Sequence, residues 1–433
     1  MAETPLRGGE TAGETSIAPF RALFAWCLFD WANSAFPTVI ITFVFAAYFT
    51  QAVAADAVTG TAQWGYAMAA SAFAVALSAP FCGAMADHSG RRKPWLLTLT
   101  ALCVAATALL WFTRPDPADA LWALVCVGVA NFAFEMGMVF YNSMLPDLSP
   151  KARIGRISGW GWGLGYAGGL VCLGLVLAGF VQTDDPWFGL ARDSAQNLRA
   201  TAPLTAVWFA VFAVPLFALT PDAAATGIGA REAFRRGVAS LWETLKHIRD
   251  YTQIARFLIA RMIYTDGLNT LFAFGGIYAA GTFGMDFSEL IIFGIGMNLA
   301  AGLGAVLFAW IDDWIGPKRT ILIAVAALTL FGGALLFVQS KTLFWVFGLP
   351  LGIFIGPAQA ASRSMMARLA PARLRAEMFG LYALSGKATA FLGPVVLAWM
   401  TAYAGSQRAG MATILVFLIT GMVLLWPVSD SRC

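Results

Sequence analysis

Apolar runs of about 20 residues recur twelve times along this chain, at approximately 22–50, 62–86, 95–113, 119–145, 156–181, 203–220, 257–283, 288–311, 318–339, 342–367, 376–401 and 408–428. Each has the length needed to cross about 30 Å of hydrocarbon, and no other feature limits the available folds so severely. In lipid, backbone N–H and C=O groups must be satisfied inside a helix or a closed barrel. The alternating ten-residue patterns of a membrane barrel are absent, so the runs read as helices and the chain as an all-α, multi-pass membrane protein. Charge agrees: Asp, Glu, Lys and Arg make up 12% of the residues, against about 25% in a soluble domain.

Basic residues set the orientation, because cytoplasmic loops are enriched in them. Most of the 28 Lys and Arg fall in the two termini and in the loops joining even-numbered to odd-numbered runs. The opposite face holds Arg114, Arg192, Arg199, Lys341 and Arg408. Both termini are therefore expected in the cytoplasm. The net charge of +4 follows from this bias and gives no ground for a nucleic-acid partner. The first nineteen residues lack a basic n-region with a small-residue cleavage site, so the first run is expected to direct insertion itself. Cys27, Cys82, Cys103, Cys126 and Cys172 fall in apolar runs, Cys433 is the last residue, and no C-x-x-C occurs. Small packing residues and a free terminal thiol fit this better than a disulfide or metal site.

The connection at 221–256 divides the runs six and six. The expected organisation is a tail at 1–21, one half at 22–220, the linker at 221–256, a second half at 257–428 and a tail at 429–433. Within the linker, Trp242, Leu245 and Ile248 fall three apart with charges between them, which reads as an amphipathic helix along the inner leaflet. The halves repeat one another in three places. D-W-A-N-S-A-F (Asp30 to Phe36) matches D-G-L-N-T-L-F (Asp266 to Phe272). D-H-S-G-R-R-K (Asp87 to Lys93) matches D-W-I-G-P-K-R (Asp313 to Arg319). S-M-L-P-D-L-S-P, with Gly159 downstream, matches S-M-M-A-R-L-A-P, with Gly380 downstream. The order is the same throughout, and paired six-helix halves with a site between them near the midplane are a transporter architecture.

Four charges lie deep in the runs: Asp30, Glu135, Asp266 and Lys387. At 1.5 Å per residue all fall about 13 to 17 Å from the cytoplasmic end. Each would cost about 2.5 to 3.5 kcal/mol facing lipid at the centre, so they should face the interior and one another. Polar stripes accompany them: Asn131, Glu135, Met138 and Asn142 on the fourth run, Asp30 and Asn33 on the first, Asp266, Asn269 and Thr270 on the seventh, and Gln359, Ser362 and Arg363 on the tenth. Each acid has two readings, solute or proton binding, or a paired charge that fixes helix packing. Glu135 favours the first, since no basic residue lies near it in its own half. Asp30 and Asp266 suit backbone capping at paired kinks equally well. Arg261 sits out of phase with Asp266, so its partner is expected on another helix. Arg363 and Arg368 read either as ligands or as inside anchors.

The stretch G-A-M-A-D-H-S-G-R-R-K-P (Gly83 to Pro94) resembles the loop signature of the major facilitator superfamily, with Gly83, Asp87, Gly90, Arg91 and Arg92 in place and His88 where Arg or Lys is usual. Asp313 and Gly316 stand at the matching points of the second half. Further strings resemble the vacuolar-effluxer-like branch, which includes the fungal autophagy-related amino-acid effluxers and bacterial members. They are F-D-W-A-N-S-A-F, F-Y-N-S-M-L-P-D-L, S-G-W-G-W-G-L-G-Y-A-G-G, Y-T-D-G-L-N-T, S-R-S-M-M-A-R-L-A-P and A-E-M-F-G-L-Y-A-L-S-G-K. The resemblance implies twelve helices in two pseudo-symmetric halves, a cavity lined by the first, fourth, seventh and tenth, and an Asp87 that engages the start of the eleventh and gates access. It also implies a bacterial inner membrane.

G-L-G-Y-A-G (Gly163 to Gly168) has the form of a dinucleotide fingerprint, but that needs a preceding strand. Gly155, Gly159 and Gly163 instead give the small-xxx-small spacing of close helix approach. The combined expectation is a secondary transporter, proton-coupled, exporting a small polar or zwitterionic solute by alternating access, with Asp30, Asn33, Asn131, Glu135, Asn142, Asp266, Asn269, Gln359, Arg363 and Lys387 at its site. Trp31, Trp160, Trp162 and Tyr166 are candidates for an aromatic wall. Efflux of an amphipathic drug-like or lipid-derived compound is the alternative, and a receptor or assembly factor without flux is the alternative of another class. Catalysis is not expected, because the only two histidines, His88 and His247, lie in loops. Lipids, a small solute and protons are the expected partners, the chain acting as a monomer without cofactor or metal.

Overall fold

A computed structural model describes residues 17–429. Residues 1–16 of the expected tail at 1–21, and residues 430–433 of that at 429–433 with the Cys433 thiol, lie outside the described residues. Among those described, all regular structure is helical. In chain order the helical segments are α1 (Phe20–Val53), α2 (Ala57–Ser89), α3 (Lys93–Phe112), α4 (Pro117–Leu148), α5 (Lys151–Val181) and α6 (Gln196–Leu219). After α7 (Ala230–Lys246) and α8 (Thr252–Phe283) come α9 (Ser288–Ile315), α10 (Pro317–Phe337), α11 (Lys341–Leu369), α12 (Ala372–Ala404) and α13 (Gln407–Leu425). Eleven of these are long and apolar enough to cross a membrane. The twelfth expected span, α8, has the length but carries Arg256, Arg261, Asp266 and Asn269, which dilute its hydropathy.

Packing repeats between α1–α6 and α8–α13. In the first set α1 packs on α5 and α6, α2 on α4, and α3 on α4 and α6. In the second α8 packs on α12 and α13, α9 on α11, and α10 on α11 and α13. The two most extensive crossings between the sets are α2 with α12 and α5 with α9. Both are built on small residues. Gly155, Gly159 and Gly163 of α5 face α9; a Cβ at Gly159 would lie 2.5 Å from the Ala309 Cβ and 2.6 Å from the Ala305 carbonyl. With lipid as apolar as leucine, such close backbone approach is a main source of helix association.

Two spans are interrupted in their interior; the glycine-rich α5 is not one of them, its central helix running from Ile154 to Val176 without a break and turning π-helical only at its end, Leu177–Val181. In α1 the ladder turns π-helical over Phe36–Phe43, beside Pro37. In α12 it lapses between Lys387 and Leu392, separating Arg375–Lys387 from Leu392–Ala404. Pro394 has no N–H to give the carbonyl four residues back, which accounts for the break at that point.

The linker helix α7 packs on α2. Ala233, Leu241 and Thr244 are buried there, while Phe234, Trp242, Leu245 and the following Ile248 remain exposed. Only that exposed face is left for the expected inner-leaflet contact, because the other is docked on protein. On its open side Glu232 accepts from Arg235 and Arg236. Those bonds, that of Arg236 foremost, hold its carboxyl below the usual range.

Candidate functional site

Between the two sets of spans lies a cavity of about 240 Å³, walled by Glu135 and Asn142 of α4, Trp162 of α5, Arg261, Tyr264 and Asn269 of α8, Gln359, Ser362 and Arg363 of α11, and Tyr382 and Lys387 of α12. Most of its polar groups come from the stripes seen in the sequence, and a transporter site in a helical bundle has this form, with a few charged groups converging in an apolar wall.

Two ion pairs join one set of spans to the other beside the cavity. Lys387 Nζ lies 2.7 Å from Glu135 Oε1, the two side chains 26% and 25% exposed. Lys387 ends the helical segment Arg375–Lys387, where a cation is favoured by the helix dipole. The pair is thus held on protein yet open to the cavity. The second pair is closed to it: Arg363 Nη1 lies 2.9 Å from Asp30 Oδ2, both side chains buried. Arg363 Nε donates to Ser158 Oγ at 2.9 Å, Nη2 to the Ser158 carbonyl at 2.6 Å, and Nη1 also to Asn142 Oδ1 at 3.4 Å. The Trp26 ring lies 4.9 Å from the guanidinium carbon. Arg363 is therefore no surface anchor; it is a saturated strut between α11, α1 and α5. Room for it depends on Gly161, where a Cβ would lie 2.5 Å from Asp30 Oδ2 and 2.8 Å from Arg363 Nη2.

Asp266 matches Asp30 in the repeat but not in its partner. Its Oδ2 accepts from the Gly393 N–H at 3.2 Å, at the start of the helix Leu392–Ala404, and its Oδ1 has no hydrogen-bond partner. It caps the resumed half of α12, so the break in that helix carries a cation at its upstream end and an anion at its downstream end, both with the favourable sign.

Of the other expected residues, Gln359 is positioned by Tyr166, whose hydroxyl donates to its Oε1 at 2.7 Å. Asn33 and Asn131 turn away from the cavity: Asn33 Nδ2 meets Met138 Sδ at 3.6 Å, and Asn131 Nδ2 donates to Ser71 Oγ on α2 at 2.9 Å. Trp162 lines the cavity, whereas Trp31 stacks on Trp208 and Trp160 meets Trp310 edge-on. Tyr264, Tyr382 and Ser158 were not foreseen, because aromatic and hydroxyl residues at helical spacing carry no signal that separates wall from packing. Among the described residues no cluster of His, Cys, Asp and Glu is arranged to hold a metal.

The end of the bundle that carries α7 is closed by two matching clamps. Asp87 accepts from the N–H groups of Ala376 at 3.0 Å and Glu377 at 2.8 Å, at the start of the α12 helix. Asp313 accepts from those of Gly155 at 2.9 Å and Arg156 at 3.2 Å, at the start of the α5 helix. An anion at a helix start meets unpaired donors and the positive end of the dipole. Cations reinforce each clamp: Arg92 lies 3.6 Å from Asp87 and also pairs with Asp147, which in turn pairs with Arg375. Arg368 pairs with Asp312 and Asp313. Asp147 and Arg368 occupy the same place in the repeat with opposite charge, so Arg368 pairs with the acid of the second clamp, whereas Asp147 reaches that of the first only through Arg92. Gly83 lets α2 meet α12, since a Cβ would lie 2.2 Å from the Ala376 carbonyl. Gly90 and Gly316 take φ of 85° and 93° in the turns. Arg91 is exposed and His88 contributes its carbonyl, accepting from Thr226 Oγ1 at 2.7 Å. Glu377, wholly buried, accepts from Ser240 and Thr244 of α7, tying the linker to the clamp.

Comparison with known proteins agrees with this architecture. The family model described as "Vacuole effluxer Atg22 like" matches residues 58–433. The chain is 27% identical over 407 residues to the uncharacterized MFS-type transporter YxiO of Bacillus subtilis, covering 93% of each chain. It is 25% identical over 303 residues to autophagy-related protein 22 of Cryptococcus neoformans, covering 64% of this chain and 51% of that one. Among solved structures, the major facilitator superfamily proton:xylose symporter XylE matches with a TM-score of 0.72 at 11% identity, covering 95% of this chain and 96% of that one. These relatives and neighbours are transporters, not enzymes. The chain belongs to the Atg22-like vacuole effluxer family and is a multi-pass membrane transporter of the major facilitator fold.

Proposed function

We propose that this transporter is a proton-coupled exporter of a small zwitterionic, amino-acid-like solute, working by alternating access in a bacterial inner membrane. One observation carries the reading: the Lys387–Glu135 pair at 2.7 Å, drawn from opposite sets of spans and still a quarter exposed to the cavity. A zwitterion's ammonium can take the place of Lys387 on Glu135, while its carboxylate meets the cations of the wall. Binding then removes a bond between the two sets of spans, and a proton on Glu135 does the same from the other side of the exchange. A solute and a proton that compete for one carboxylate are thereby coupled. The excess of Lys and Arg in the loops at the α7 end supports a cytoplasmic position for the Asp87 and Asp313 clamps, and on that reading the arrangement described is closed to the cytoplasm. Opening requires those clamps to part while the α5–α9 and α2–α12 crossings pivot.

A second reading has its own observation. An apolar cleft of about 440 Å³ runs between α1, α5 and α9, lined by Phe24, Trp160, Tyr166, Leu299 and Val306 among others, and it favours an amphipathic or lipid-derived solute. Its wall holds almost no polar group and none of the four deep charges, so it explains none of the features that cost most to bury. The polar cavity is the better candidate.

The test is uptake into liposomes holding the purified protein, with and without a pH gradient, for amino acids, peptides, sugars and amphiphiles. Gradient-dependent flux of an amino acid supports the reading. Flux confined to amphiphiles overturns it in favour of the cleft, and absence of flux for every class by a folded protein favours a receptor.

A further inference from the structure

We propose that Arg261 is the anchor for the solute's carboxylate, the inference resting on the zwitterion reading above and naming the group that takes its negative end. Arg261 projects from α8 into the cavity wall. Its guanidinium lies over the Tyr382 ring at 3.5 Å, and Nη1 donates to the Tyr382 carbonyl at 2.7 Å and to Ser385 Oγ at 2.8 Å. One face and one nitrogen are thus fixed to α12. Nε is buried without a partner, and Nη2 donates to no acceptor among the described residues.

The other cations of the cavity are already compensated. Arg363 donates from all three nitrogens and is neutralised by Asp30, and Lys387 is neutralised by Glu135. Arg261 pairs with no carboxylate among the described residues, so the wall as folded holds one positive charge without a counter-ion. Leaving a charge uncompensated in a partly buried site is unfavourable, and a solute carboxylate removes that cost. A planar guanidinium held rigidly at one edge also selects a planar oxyanion over a neutral amide.

Position supports the same assignment. Arg261 bonds Ser385 and abuts Gly386, where a Cβ would lie 3.1 Å from Nη1 and 3.3 Å from Nη2. The next residue is Lys387, on Glu135. A cation that is free and an anion that can be freed therefore stand on either side of three consecutive residues, Ser385 to Lys387, at the break of α12. A small amino acid has its two charges on adjacent carbons and suits such a site.

The test uses the full chain in liposomes and three probes of one shape: L-valine, L-valinamide and 3-methylbutanoate, which keep both charges, the ammonium alone and the carboxylate alone. Wild type is expected to take L-valine in preference to L-valinamide and to be inhibited by 3-methylbutanoate. Arg261→Gln should lower the L-valine to L-valinamide uptake ratio about tenfold or more and abolish inhibition by 3-methylbutanoate. Arg261→Lys, which keeps the charge and loses the fork, should lower the ratio by less. An unchanged ratio in either variant overturns the proposal. If wild type moves none of the three, the zwitterion reading fails and this assignment with it, an outcome seen without any variant.

Discussion

Asp87 and Asp313 do the same thing from opposite halves of the molecule: each carboxylate accepts two N–H groups at the start of a helix in the other half, Ala376 and Glu377 for Asp87, Gly155 and Arg156 for Asp313. Each is a charge-assisted contact made in this arrangement alone, because opening at the α7 end must part the helices involved. Hydrogen bonds to charged groups contribute about 1.5 to 3 kcal/mol. Asp87→Asn and Asp313→Asn should therefore shift the population toward the open form by about tenfold or more each, the double variant further. Modification of cysteines introduced at that end measures it, and rates equal to wild type would rule out the clamps.

The Asp30–Arg363 pair should behave differently, because it is buried and saturated. Removing one partner from a buried pair costs about 3 to 5 kcal/mol, so Asp30→Asn and Arg363→Gln should each lower thermal stability markedly. The double variant should recover part of the loss, since no unpaired charge remains. Equal, additive losses would show that the two side chains contribute separately.

The α2–α12 crossing gives a prediction about shape alone. A Cβ at Gly380 would lie 2.4 Å from the Ala79 carbonyl, whereas one at Gly65 meets nothing within 4 Å. Gly380→Ala should destabilise the closed arrangement, by about 1 to 3 kcal/mol if the core responds as to overpacking, and Gly65→Ala should be neutral. Melting temperature and cysteine accessibility report both.

At the linker, Ser240 and Thr244 hold the buried Glu377 carboxylate. The double Ser240→Ala/Thr244→Ala variant leaves that carboxylate short of donors, at about 1 to 3 kcal/mol, and should release α7 from α2. Faster proteolysis of the linker is the expected readout; wild-type resistance would mean that the apolar contacts of Ala233 and Leu241 suffice.

The sequence spoke clearly about which segments are helical and poorly about which way their side chains face. Run length gave twelve spans, eleven of which are long and apolar enough to cross a membrane, and the helices α1, α4, α8 and α12 carry Asp30, Glu135, Asp266 and Lys387. Counting along a helix does not give its rotation, so the partners stayed hidden: Glu135 with Lys387, and Asp30 with Arg363, which read equally well as a surface anchor. The same gap hid the fate of Asn33 and Asn131, on the right helices but facing neighbours. Symmetry in the sequence also overstated symmetry in chemistry. Asp30 and Asp266 share a motif, yet one meets a guanidinium and the other the start of a half-helix, because α12 breaks beside Asp266 whereas α5 runs unbroken beside Asp30. Periodicity found α7 but not that its small residues, Ala233 and Gly237, mark the face laid on protein.

The central claim is that Glu135 exchanges Lys387 for solute and for a proton. The most direct measurement is L-valine movement in liposomes holding wild type or Glu135→Gln, driven by a pH gradient in one arm and by counterflow at equal pH in the other. Wild type should respond to the gradient, and Glu135→Gln should lose that response while still exchanging solute at a reduced rate. Gradient-driven uptake that persists in Glu135→Gln would contradict the account.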